Sequence, residues 1–206
     1  MESSSQPADT ETIQVIPASI ELWSDIEQLF ARSACWCQYW RLSSGEYGHA
    51  SKGNLDDAIR ERSASLSSQL ERQPPPGMLA YLDDQVAGWC GFGIRGEMQR
   101  LVRSRTIPAV DDRPVWSIVC FLVRTGFRRR GVARALLQGV ITYARRHGAP
   151  ALEAYPVDPG SKRIDTAFAY VGTVAMFEQA GFQRVLETSA HSAGLPRWLM
   201  RLEFVA

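Results

Sequence analysis

The residues best placed to do chemistry are Arg128-Arg129-Arg130-Gly131-Val132-Ala133, a basic turn closed by a glycine. The apolar run over residues 116–123 reads as a strand entering that turn. A helix follows from about Val132: Val132, Ala135, Leu136, Gly139, Val140, Tyr143 and Ala144 recur at the i, i+3, i+4, i+7 spacing of one buried face. A helix entered through a glycine turn leaves its first backbone N–H groups without partners, at the positive end of the helix dipole. Such a mouth suits a phosphate or diphosphate. Gly131 has no Cβ, so a ligand can approach the backbone closely there. Strand-turn-helix units are common and arginine runs are often plain solvated surface, so the turn alone leaves both readings open.

Composition removes several alternatives. No Gly-Lys-Ser/Thr follows the turn, so it is not a nucleoside-triphosphate loop. The formal net charge is +1, which supplies no global field to recruit nucleic acid or a membrane surface. No run of about eighteen apolar residues is present, and the first eleven residues are polar, without a signal-peptide core. The four cysteines, Cys35, Cys37, Cys90 and Cys120, do not make a disulfide framework. Cys35-Trp36-Cys37 could begin a metal site, but no second pair and no nearby His completes four ligands, so no metal is expected. Reduced thiols in a cytoplasmic protein are the expectation.

The basic turn resembles the R/Q-x-x-G-x-G/A signature of the GNAT acyltransferase superfamily, and its surroundings keep that register. Val123 ends the strand, Phe127 stands where the family has an aromatic, and Ala135-Leu136-Leu137 continues the helix. Met176-Phe177-Glu178-Gln179-Ala180-Gly181-Phe182 is similar to the family's second signature, a helix ending in Tyr-Glu-x-x-Gly-Phe. The resemblance covers residues 78–182. It implies an acetyl-CoA-dependent N-acetyltransferase that passes an acetyl group directly to a primary amine of a small molecule or a protein, and family members often dimerise. The implied fold is α/β (α+β in some schemes): a mixed, mostly antiparallel twisted sheet, splayed between its two middle strands and flanked by helices. The resemblance assigns the diphosphate to Arg128, Arg129, Arg130, Gly131, Val132, Ala133 and Arg134, and the pantetheine arm and oxyanion to the backbone of Phe121, Leu122 and Val123. It also implies that the segment holding Trp36, Tyr39 and Trp40 walls the acceptor. The rings there could hold an apolar or cationic group, or could equally anchor a loop in the core.

Two departures bear on the chemistry. Phe177 stands where many members carry the Tyr that protonates the CoA thiolate, and the usual Asn before it is absent, with Tyr170 and Thr173 in that region. The first departure favours a second reading, a GNAT-fold module that binds acyl-CoA without turnover. Glu153 is the leading candidate base, on the strand beside the expected thioester, and Asp111 and Asp112 are others. Tyr155 is the candidate acid in place of the missing Tyr. Cys120 on the central strand raises an acyl-enzyme route, but no His is near it in sequence, so direct transfer is preferred.

These groups need elements to position them. Residues 1–11 read as a disordered lead-in and residues 12–206 as one domain. Strands are expected over residues 12–16, 78–82, 86–94, 116–123, 151–155, 183–187 and 198–204. Helices are expected over about 19–33, 55–72 (with Asn54 as cap), 132–147 and 173–180. Residues 43–53, 158–168 and 188–196 read as loops, and the excursion from Glu97 to Pro114 reads as a flap over the acceptor site. Arg145, Arg146 and His147 before Gly148 read as cations compensating a helix C-terminus.

Overall fold

The computed structural model describes residues 12–50, 53–160, 169–192 and 194–204; the expected lead-in over 1–11 and most of the expected loop 158–168 lie outside them. Its strands are β1 (Ile13–Pro17), β2 (Gly77–Leu82), β3 (Gln85–Ile94), β4 (Trp116–Val123), β5 (Ala151–Ala154), β6 (Gln183–Ser192) and β7 (Leu195–Glu203). They form one sheet in the order β1-β2-β3-β4-β5-β7-β6. Each neighbouring pair is antiparallel except β4 and β5, which run parallel. The helices are α1 (Trp23–Phe30), α2 (Ser44–Ala50), α3 (Leu55–Ser67), α4 (Gln99–Val102), α5 (Val132–Arg146) and α6 (Val174–Gln179). None among the described residues is long and apolar enough to cross a membrane.

Alternation along the strands sorts side chains onto two faces. On β2, Met78, Ala80 and Leu82 join the core under α5, while Leu79 joins a second core with Ile26, Leu29 and Phe30 of α1. Helix α5 buries Val132, Leu136, Leu137, Val140, Ile141 and Ala144, a broad stripe that clamps it across β1, β2 and β3. Gly148 at its end takes φ 73°, the left-handed stop that the sequence implied. A third core holds Trp40, Met98, Leu101, Ile107, Val119, Tyr155 and Leu199.

Three expectations are corrected. Residues 43–53 are not all loop: α2 forms there because Ser43 and Glu46 make a reciprocal cap. Glu46 N donates to Ser43 Oγ at 3.2 Å, and Ser43 N donates to Glu46 Oε2 at 2.8 Å. The last two strands are longer than expected, and the 188–196 loop shrinks to a tight turn with Ser192 paired to Leu195. The excursion before β4 is not a free flap, since Met98, Leu101 and Ile107 are fully buried against Trp40.

The contact between α5 and β1 is close enough to forbid a side chain. A Cβ at Gly139 would lie 2.5 Å from Val15 Cγ1, a branched and immobile group. Gly139→Leu should therefore overpack this contact by about 1–3 kcal/mol and lower the thermal midpoint by roughly 5 °C. An unchanged midpoint by calorimetry would show that α5 does not sit on β1 in this way.

Candidate active site

The site begins where two strands part. β4 pairs with β5 only through Trp116–Leu152, Ser117–Glu153 and Ile118–Ala154. Beyond Ile118 a bulge at Val119 shifts the β3 register, so that Gly91 faces Cys120 while Phe92 faces Ile118. Arg124 N donates to Ala87 O at 3.0 Å, which turns the main chain of Arg124 towards β3. By alternation Leu122 also faces β3, and the N–H and C=O of Phe121 and Val123 face away from it, into the gap. The gap widens into a cleft of about 710 Å³. Phe121, Leu122 and Val123 form one wall, and Tyr170 and Met176 lie among the other lining residues.

The basic turn closes the other end. Phe127, Arg128, Arg129, Gly131, Val132, Ala133 and Arg134 line it. Arg129 at φ 62° and Gly131 at φ 84° reverse the chain into α5. No side chain caps the helix, and among the described residues no acceptor meets the N–H groups of Val132, Ala133 or Arg134. Arg128 Nε donates to Val123 O at 3.3 Å, tying the turn to the strand it follows. Among the described lining residues Arg128, Arg129 and Arg134 meet no carboxylate, and they make this end of the cleft cationic. Arg130 departs from the expected set: it turns to Asp83 at 3.5 Å, in the β2–β3 turn. Gly131 has a second reason to be glycine: its φ is left-handed, while a Cβ there would make only an ordinary 3.6 Å contact with Ile13.

The expected catalytic pair lies elsewhere. Glu153 and Tyr155 are buried and line no part of the cleft. Glu153 Oε1 accepts from Arg201 Nη2 at 2.5 Å, Arg95 Nε lies 3.4 Å from Oε2, and the Tyr155 hydroxyl donates to Oε2 at 2.9 Å. Ser117 Oγ stands 2.8 Å from the same hydroxyl. A carboxylate shared by two guanidiniums and a phenol is a structural acceptor rather than a free base. Burial, with the Glu153 charge, holds the Tyr155 hydroxyl well above the ordinary tyrosine value. Asp111 extends this network by pairing with Arg201 and Arg113, and Asp112 is exposed. Phe177 is fully buried between Phe121 and Phe182, with ring centroids at 6.1 Å and 5.0 Å. Tyr170 does line the cleft, and its hydroxyl is held above its ordinary value chiefly by desolvation. Its place beyond β5 carries no motif, which is why sequence alone did not single it out.

The aromatic segment divides in the same way. Trp36 is buried between Trp23 and Phe30, with ring centroids at 5.8 Å and 5.4 Å, and belongs to the core. Trp40 is buried too, but its ring carries the Arg197 guanidinium at 5.4 Å. Tyr39 is the open one, and Arg100 covers its face at 4.2 Å. Trp36 and Cys37 take left-handed φ of 48° and 56°, a bend that sends the Cys37 sulfur against β3 at Gly91. A hydrogen bond with Cys120, aided by Arg41 and opposed by burial, brings the Cys37 thiol down to about 6. All four cysteines are free, and among the described residues no group of three His, Cys, Asp or Glu is placed to hold a metal.

The sequence profile of the Acetyltransferase (GNAT) family matches residues 36–182, well over half of the chain. The chain belongs to the GNAT acetyltransferase family. Solved structures share the acetyltransferase fold. The acetyltransferase of the GNAT family from Streptococcus pneumoniae is 14% identical, with 94% of this chain and 100% of that chain covered and a TM-score of 0.54. The paia N-acetyltransferase from Thermoplasma acidophilum in complex with coenzyme A is 12% identical, covering 94% and 99%, with a TM-score of 0.51. The NatC complex bound to Gag peptide and CoA contains a chain 13% identical, covering 94% and 99%, with a TM-score of 0.55. At such identities the likeness concerns the fold. No curated protein sequence matches this acetyltransferase. Family membership makes it an N-acetyltransferase, and the seven-stranded mixed sheet is the family's architecture as expected from the sequence.

The exposed rim of this network makes a prediction about acid. The hydrogen bond from Arg201 holds Asp111 well below the usual carboxylate range, and that from Arg113 lowers Glu203. Depressed carboxylates stabilise the fold fully above their unfolded values, about pH 4, and that contribution is lost as pH falls further, because the unfolded chain takes up the protons first. Equilibrium unfolding should show stability falling below about pH 4, and Asp111→Asn should flatten that fall. Parallel curves for the two proteins would remove Asp111 from the account.

Proposed function

We propose that this N-acetyltransferase binds acetyl-CoA with its diphosphate at the mouth of α5 and its pantetheine arm along the open edge of β4, and passes the acetyl group directly to a primary amine of a small molecule or a protein. The observation that carries this reading is the meeting, in one cleft, of two sets of main-chain donors that have no partner among the described residues: the N–H groups of Val132, Ala133 and Arg134, and those of Phe121 and Val123. The first set, with Arg128, Arg129 and Arg134 around it, suits a doubly charged diphosphate. The second offers an added-strand pairing to a pantetheine amide and a donor to the oxyanion that develops during transfer.

CoA supplies the activated acyl group as a thioester. The rest falls to this chain's residues. Among the described residues lining the cleft none is a carboxylate or imidazole, and in this reading the amine arrives neutral, with its proton already lost to solvent. Tyr170 takes the donor role that Phe177 lacks: its hydroxyl, protonated at neutral pH, gives its proton to the departing thiolate, and the proton that the attacking nitrogen sheds on becoming an amide restores the phenol. Glu153 and Tyr155 keep the closed half of the β4–β5 seam in place and do not touch the reacting atoms.

Two variants test this. Gly131→Val forces a branched residue into a left-handed conformation and displaces the first-turn amides. It should raise the CoA dissociation constant at least tenfold by calorimetric titration, with an unchanged far-ultraviolet spectrum. Undiminished affinity in a folded variant would remove the diphosphate from this turn. Tyr170→Phe should leave CoA affinity unchanged and lower kcat by roughly 10²-fold, read as thiol release with acetylated product confirmed by mass. Full kcat in this variant would dismiss Tyr170 as donor. Tight CoA binding with no product from any amine would instead favour a binding module.

A further inference from the structure

Close to the point where β4 and β5 part lies a cation that no described residue neutralises. Arg197, on β7, is only 4% exposed. Its Nε donates to Tyr155 O at 2.7 Å, and its guanidinium lies over the Trp40 ring. Among the described residues, its two terminal nitrogens have no hydrogen-bond acceptor and no ion pair. Among the described residues, the ionisable groups near enough to influence it are the phenols of Tyr170, Tyr155 and Tyr39, with no carboxylate among them. The contrast with its neighbours is direct: Arg95 and Arg201, also buried, share Glu153, and Arg201 takes Asp111 as well. A buried guanidinium stays charged at neutral pH, and leaving it unpaired is costly unless something else supplies the anion.

The position says what that something is. Tyr155, whose carbonyl accepts from Arg197, directly follows Ala154, the last residue of β5 paired to β4, so the guanidinium sits where the two strands part and the cleft begins. Arg100 stands over Tyr39, and its own Nε is buried without a partner. Ring faces that could have held an ammonium group are therefore already covered by guanidiniums. A polycationic acceptor would meet repulsion here.

Resting on the acetyl-transfer reading above, we infer that the acceptor is a small amine that also carries a carboxylate, gripped by the two free Nη groups of Arg197 with Arg100 as a second cation. The planar fork of a guanidinium matches a carboxylate bidentately, which fixes the acid end and leaves the amine end to swing towards the thioester. Arg197 is a specificity-determining residue in this arrangement: it selects and orients the acceptor but moves no proton.

The test is a binding measurement. The protein saturated with CoA is titrated calorimetrically with a panel of free amino acids and dipeptides, each paired with its own carboxamide, and with spermidine. At least one acid should bind tenfold or more tighter than its amide, and spermidine should not compete. Arg197→Met should abolish that preference while leaving CoA affinity unchanged. Arg197→Lys, which keeps the charge but not the fork, should retain part of the preference and serves if the Met variant does not fold. The inference is overturned if amides or spermidine bind as well as the acids, if no acid in the panel binds, or if a folded Arg197→Met keeps the preference. Failure of the underlying reading is seen separately, as wild-type protein that takes up no CoA before any amine is added.

Discussion

The parting of β4 from β5 after three residue pairs is the constraint on which the rest of the molecule depends. A strand normally satisfies its main chain on both sides. From Val119 onward β4 has β3 on one side and, among the described residues, no paired strand on the other, so its outward amides are open to a ligand or water. The bulge at Val119 and the bend into α5 set the direction of those amides, and the left-handed Gly131 places the helix mouth at the end of the same channel. The diphosphate grip and the oxyanion donor are therefore consequences of one strand losing one neighbour.

Below the split, the seam is held by charge. Glu153 on β5, Arg201 on β7 and Arg95 just after β3 are joined, and Tyr155 and Ser117 complete the set across β4 and β5. A buried pair of this kind is costly to assemble and more costly to break, and its partners come from four separate parts of the sheet. It fixes the register of the closed half while the other half stays open. Arg197, bonded to the carbonyl of Tyr155, has no such carboxylate among the described residues, and that imbalance sets it apart from Arg95 and Arg201.

The parts legible in the sequence were those with local signatures. The strand, glycine turn and amphipathic helix over residues 116–146 follow from periodicity and turn chemistry, and the cleft formed where they implied. Asn54 capped α3 as its position suggested, accepting from Asp57 N at 2.8 Å. The Ser43 and Glu46 capping box was also there to be read, but the glycines around it looked like loop. The fates of Glu153 and Tyr155 were not legible. Their direction depends on Arg201, which reaches them only through the β5–β7 register 48 residues later in the chain. The same holds for Trp36: as a ring in a loop it could serve a pocket or a core, and only the position of Phe30 and Trp23 decides for the core. Arg130, inside the signature, was drawn off by Asp83, a residue whose approach depends on the hairpin turn.

The bend at Trp36 and Cys37 lodges a sulfur in the space that any side chain on Gly91 would need. Two positions more than fifty residues apart are thereby locked into a single steric unit: bulk admitted at one must be surrendered at the other. Across descendants of this sequence, the thiol and the bare backbone opposite it should come and go together.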